Sequence, residues 1–144
     1  MTDITFHSGV PDKLAYACRL LRKAYRSNAR VVVSGPADTL GRLDKLLWVF
    51  DDLEFIPHVH ARAGATLPRA MASTPIWLVD AGVAPPHNDV LLQLGLEPQL
   101  DCEAFARVIE VVSNEPADRD AARRRWRQYE ACGYRITHHV VGTA

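Results

Sequence analysis

The chain carries no net charge: 17 Lys and Arg are balanced by 17 Asp and Glu over 144 residues. That balance argues against a broad, non-specific grip on nucleic acid, which normally leaves a basic domain. Cysteine is scarce. Cys18, Cys102 and Cys132 are odd in number, far apart and without a CxxC pair, so neither a zinc site nor a disulfide framework is expected. No run approaches the roughly 20 apolar residues of a membrane span. The opening MTDITFHSGV lacks the basic and apolar regions of a signal peptide, and a cytoplasmic protein is expected. GxGxxG and GxxxxGK(S/T) are both missing. The nearest glycine signal, Ser34-Gly35-Pro36, places a proline where a phosphate cradle wants a backbone donor. His58-x-His60 and His138-His139 lack an HExxH or Cys/His context and read as polar surface rather than metal ligands. With no nucleophile elbow either, no cofactor, metal or catalytic site is expected.

What is present is a chain with enough apolar residues, 48%, to build a real core, and no repeat or low-complexity linker; one domain over 1–144 is expected. Ile4–His7 is β-prone. Asp12–Ser27 reads as a helix, with Leu14, Cys18, Leu21 and Tyr25 at helical spacing after Pro11. The β-branched run Arg30–Ser34 suits a strand buried on both faces. A second helix is expected from about Ala37 to Phe50. Ile76–Asp80, Val90–Leu94 and Arg107–Val112 read as further strands, and a last helix ends near Gly133. His58–Pro75, rich in Ala, Gly and Pro, reads as a long surface loop. Alternating helices and buried strands imply a single-domain, Rossmann-like α/β sandwich with a largely parallel central sheet and no phosphate-binding loop.

Two places carry chemistry. The segment RDAARRRWR, 119–127, sets five arginines against one aspartate. On a helix, Ala122, Trp126 and Tyr129 face the sheet, while Arg119, Arg123 and Arg127 form a ladder at intervals of four, with Trp126 on the boundary. An apolar wall beside guanidinium groups complements a peptide that ends in a hydrophobic residue and a carboxylate. The plain alternative is a solvated charged helix. In the second helix Leu40, Leu43, Leu46, Leu47 and Phe50 share the apolar face, which leaves Trp48 on the polar side. With Phe55-Ile56-Pro57 downstream, Trp48 is either covered by the same chain or open to a partner.

The early ITFH strand, ACRLLRKAYRSNARVVV, RLDKLLWVFDDLEFIPH, VLLQLGLEP, and FARVIEVV followed by ARRRWRQYEACGYRITHH together resemble the chi subunit of bacterial DNA polymerase III holoenzyme, an accessory protein of the clamp-loader complex. The LDxLLWxF…FxPH block and RVIEVV are the most distinctive parts, and the resemblance spans nearly the whole chain. It implies a Rossmann-like, non-catalytic adaptor that bridges two partners. One is the psi subunit; the other is the acidic, Pro-Phe-ending tail of single-stranded-DNA-binding protein. Position by position, it implies a tail groove at Val112, Arg119, Arg123, Trp126 and Arg127. Arg123 would hold the terminal carboxylate, Val112 and Trp126 would wall the phenylalanine pocket, and Arg119 and Arg127 would attract the aspartates. The surface for psi, or for an accessory iron–sulfur helicase, would be Trp48, Phe55 and Pro57. Two rival readings are direct binding of single-stranded nucleic acid by the arginine helix, with Trp126 stacking on a base, and a degenerate nucleotide-binding enzyme using the loop after Ser34.

Overall fold

The computed structural model describes residues 2–51, 53–64, 71, 73–97 and 100–141. Among the described residues seven strands form one sheet in which every pairing is parallel: β1 (Asp3–Val10), β2 (Val31–Ser34), β3 (His58–Ala61), β4 (Ile76–Val79), β5 (Val90–Gln93), β6 (Arg107–Ser113) and β7 (Arg135–Val140). Their spatial order is β3-β4-β2-β5-β6-β1-β7. The helices are α1 (Lys13–Arg26), α2 (Ala37–Val49) and α3 (Pro116–Ala131).

Local chemistry sets the helix ends. The Asp12 carboxylate accepts from the Ala15 N–H and caps α1. Pro116 opens α3 where its missing N–H costs nothing. Gly133, at φ +79°, turns the chain out of α3 in a conformation that penalises any side chain. The central strands read as unbroken apolar runs because both faces are covered. Val31, Val33, Ile76 and Leu78 pack under α1 and α2 on one side. Val32, Trp77, Val108 and Val112 join Phe6 and Tyr129 in the core on the other, α3 side.

Three expectations need correction. The segment 58–75 does not begin as a loop, since His58–Ala61 is an edge strand pairing with β4. Its histidines are not polar surface. The buried His58 donates from Nδ1 to the Ile56 carbonyl at 2.8 Å, and its Nε2 lies 3.0 Å from Asp44 Oδ1, at ion-pair distance but without hydrogen-bond alignment. His60 Nε2 meets Asp80 Oδ1 at 2.7 Å. Residues 65–70 and 72 of that predicted loop lie outside the described residues. Second, β7 follows the last helix, where no strand was expected. Third, Leu46 sits at the margin of the apolar face of α2 and is 39% exposed, whereas Leu40, Leu43 and Leu47 are buried.

At the carboxyl ends of the central strands, where Rossmann-like sheets offer a crevice, the loops after β2 and β5 approach each other. A Cβ built on Gly95 would lie 3.6 Å from the Gly35 Cα and 3.5 Å from Pro36 Cδ, and one on Gly35 would lie 3.4 Å from Leu94 Cβ. The loops after β2 and β5 therefore run close together at Gly35 and Gly95.

On the α1 side of the sheet, His7 bonds Tyr16 Oη through Nδ1 at 2.6 Å. Burial, with His139, Arg107 and Lys23 nearby, depresses its pKa from 6.5 to about 4. Between those values the unfolded chain binds more protons than the folded one, so stability falls as pH drops from about 6.5 towards about 4. The urea midpoint should be lower near pH 5 than near pH 7, and His7→Gln should shrink that difference.

Candidate functional site: an arginine-flanked groove and an aromatic patch

Helix α3 lies across β6 and β1 because its inner face is built for it. Ala121 and Ala122 allow close approach, and Asp118, Arg125 and Tyr129 turn inward with them. Arg125 and Glu110 are 3% and 0% exposed and joined by an Nε–Oε2 hydrogen bond of 2.9 Å. Tyr129 Oη donates to the same Oε2 at 2.6 Å, and Arg125 Nη1 donates to the Leu96 carbonyl at 2.6 Å. Burial and the neighbouring Glu110 push the Tyr129 hydroxyl far up from its ordinary pKa, so it stays a donor. At the start of the helix Asp118 takes the Lys13 ammonium at 3.0 Å and the Ser113 N–H at 2.7 Å. Of the five arginines in 119–127, Arg125 is thus structural. It ties α3 to the centre of β6 and to the loop after β5, and is unavailable to a ligand.

That anchoring sets a groove of about 530 Å³ between α3 and the β1–β7 edge, and all five residues assigned to the tail site line it: Val112, Arg119, Arg123, Trp126 and Arg127. Trp126 is half-buried and held by neighbours, with its ring 4.9 Å from Phe6 and edge-on to His138 at 5.5 Å. With Val112 and Ala122 it forms the apolar wall. The outer rim is the arginine ladder. Among the described residues Arg119 and Arg127 make no ion pair, and Arg123 has only a 3.5 Å contact to Asp120 with both side chains more than 60% exposed. Arg124 points the other way, 3.8 Å from Glu97. Glu130 is the acid in the lining.

The opposite rim was not legible in the sequence. Ser8, Gly9, His138 and Val140 come from β1 and the unexpected β7. Ser8 Oγ and His138 Nε2 hydrogen-bond at 2.6 Å across the two strands, which register Phe6 against His138.

The second assigned surface also assembles. Trp48 and Phe55, 58% and 56% exposed, stack on each other with centroids 5.2 Å apart. Trp48 leans on His58 at 5.1 Å, and Pro57 is half-buried between the buried Ile56 and His58. Leu53 and Val49 extend the apolar area and are 97% and 71% exposed. The acids beside this patch are committed elsewhere. Asp51 accepts from the Leu53 and Glu54 N–H groups and from Arg22, and Glu54 pairs with Arg26 at 2.8 Å. These bonds, above all the Leu53 N–H, hold the Asp51 pKa below the ordinary carboxylate value. They staple the turn to α1 and present Phe55 beside Trp48.

No group of three or more potential metal ligands occurs among the described residues, and no helix there is long and apolar enough to cross a membrane.

The fold is a Rossmann-like α/β sheet protein with an arginine-flanked groove along α3 and an exposed aromatic patch beside α2. The sequence matches the profile of "DNA polymerase III chi subunit, HolC" over residues 1–137, and the chain belongs to that family of DNA-replication subunits. It is 38% identical over 132 residues to the DNA polymerase III subunit chi of Pseudomonas aeruginosa, covering 88% of this chain and 85% of that one. To the Haemophilus influenzae subunit chi it is 28% identical over 130 residues, with the same shares, and to that of Escherichia coli 27% over 121, covering 83% and 79%. Domain 2 of a DEAD-box helicase bound to an RNA duplex superposes with a TM-score of 0.64 at 11% identity, covering 99% of this chain and 64% of the other; that likeness concerns the fold alone.

Proposed function

We propose that the chain is a non-catalytic adaptor of the clamp-loader complex whose α3 groove takes the acidic, phenylalanine-ended tail of single-stranded-DNA-binding protein. The observation that carries this reading is the convergence of Val112 and Trp126 with the exposed Arg119, Arg123 and Arg127 on one groove. Trp126 and Val112 receive the terminal aromatic ring, Arg123 its carboxylate, and the outer two arginines the preceding acids. The Trp48–Phe55 stack with Pro57 serves the psi subunit or an iron–sulfur helicase. The protein works in the cytoplasm, within the replisome, as a single domain.

A fluorescent peptide carrying the acidic Pro-Phe end, titrated into the protein, should saturate, and its affinity should fall as salt rises. Because the Arg123 side chain is 62% exposed, Arg123→Ala should weaken binding only about three- to tenfold. No saturation by the parent protein, or equal affinity for a bare oligonucleotide, would move the groove to the nucleic-acid reading. For the second surface, Trp48→Ala should weaken capture of psi about 30-fold or more and leave peptide binding unchanged.

A further inference from the structure

On the face of the sheet opposite the groove, between the carboxyl-terminal half of α1 and the starts of β2, β5 and β6, lies a second cavity of about 270 Å³. Its floor is aliphatic: Leu20, Ala24, Val90, Leu92 and Ile109 contribute. Its polar groups are Lys23 from α1, Ser27 just past its end, Arg107 from β6, and the His7–His139 pair, whose rings sit 5.2 Å apart. No acid lines it, and neither Lys23 nor Arg107 has an ion-pair partner among the described residues. Two solvent-exposed cations, one on α1 and one at the start of β6, therefore border an apolar hollow without an ion-pair partner. The adjacent His138 and His139 of β7 divide between the two cavities, which places the two on separate faces and makes them independent.

We infer that this cavity is a second binding site, for a small apolar group carrying one carboxylate, such as the end of a peptide chain. The apolar floor would be wasted on a free phosphate, whereas Arg107 can grip a carboxylate bidentately with Lys23 as a second point charge. The cavity holds a single residue-sized group, about half of what the α3 groove accepts. Burial is the main reason His7 stays neutral, and His139 on β7, Arg107 on β6 and Lys23 on α1 add to it, with Tyr16 on its other side; an anion here would relieve the charged part.

The test is methyl NMR on the full chain with N-acetylleucine and, as the neutral control, N-acetylleucinamide. N-acetylleucine should shift the Leu20, Leu92 and Ile109 methyls saturably and raise the His7 pKa. The amide should bind at least tenfold more weakly, and Lys23→Gln with Arg107→Gln should abolish the shifts. Arg107→Lys, which keeps the charge and loses the fork, should fall between and exclude misfolding as the cause. Arg123→Glu, on the other face, should leave these shifts intact. Equal binding of acid and amide, displacement by lower concentrations of inorganic phosphate, or silence at these methyls would overturn the assignment. None of those outcomes bears on the α3 groove, whose reporters are Trp126 and Val112.

Discussion

Arg125→Ala should lower stability by about 3–5 kcal/mol, a fall of about 10 °C or more in the unfolding midpoint. The reason is asymmetry. Glu110 is wholly buried and its Oε2 accepts from both Arg125 and Tyr129. Removing the guanidinium leaves a carboxylate in the core with one hydroxyl to answer it. Replacing both partners with apolar residues of similar volume, Arg125→Met with Glu110→Leu, should restore most of the loss, because the pair's Coulomb gain roughly offsets its desolvation. Thermal unfolding of the two single and the double variants measures this directly. A loss below 1 kcal/mol in Arg125→Ala would mean that water reaches Glu110. Any variant that loosens α3 should also weaken the groove, so binding losses in Arg125 variants are to be read only beside their melting curves.

Arg123→Glu should remove saturable binding of the acidic peptide, weakening it 30-fold or more, while leaving the fold untouched. Alanine removes only a solvent-screened attraction, but glutamate sets a like charge against the incoming carboxylate and joins Glu130 in the lining. The comparison of alanine with glutamate at one exposed position separates an electrostatic groove from an apolar one. If both variants bind as the parent does, Trp126 and Val112 carry the contact and Trp126→Ala becomes the decisive change. If glutamate alone fails and added salt weakens the parent, the ladder steers the ligand.

The elements that were legible in the sequence share one property: both faces are dry, or the helical spacing is complete. Val31–Val33 and Ile76–Val79 are continuous apolar runs because helices and loops cover them on both sides. β3 was hidden because His58 and His60 look polar, and the carboxylates they meet, Asp44 and Asp80, are distant in sequence. β7 was hidden because an edge strand of a parallel sheet, exposed at nearly every position, has no hydrophobic pattern to show. The groove's arginine side was readable from the spacing of four. Its other side required knowing that β7 pairs with β1. Arg125 is the instructive miss. The inward set Asp118, Ala122, Arg125 and Tyr129 sits at helical spacing, but a charge among arginines draws attention to the surface. Only the buried Glu110 shows which arginine is not for a partner.

The two walls of the groove differ in how firmly they are held. One is α3, locked through Arg125, Lys13 and their carboxylates; the other is β7, hydrogen-bonded to β1 alone. Amides of β7 will therefore exchange with solvent deuterium long before those of β6, through openings that leave the rest of the sheet intact. An occupant lying between the walls would tether the loose one to the firm one. Its arrival registers as slowed exchange along 135–140, with no change in the average structure.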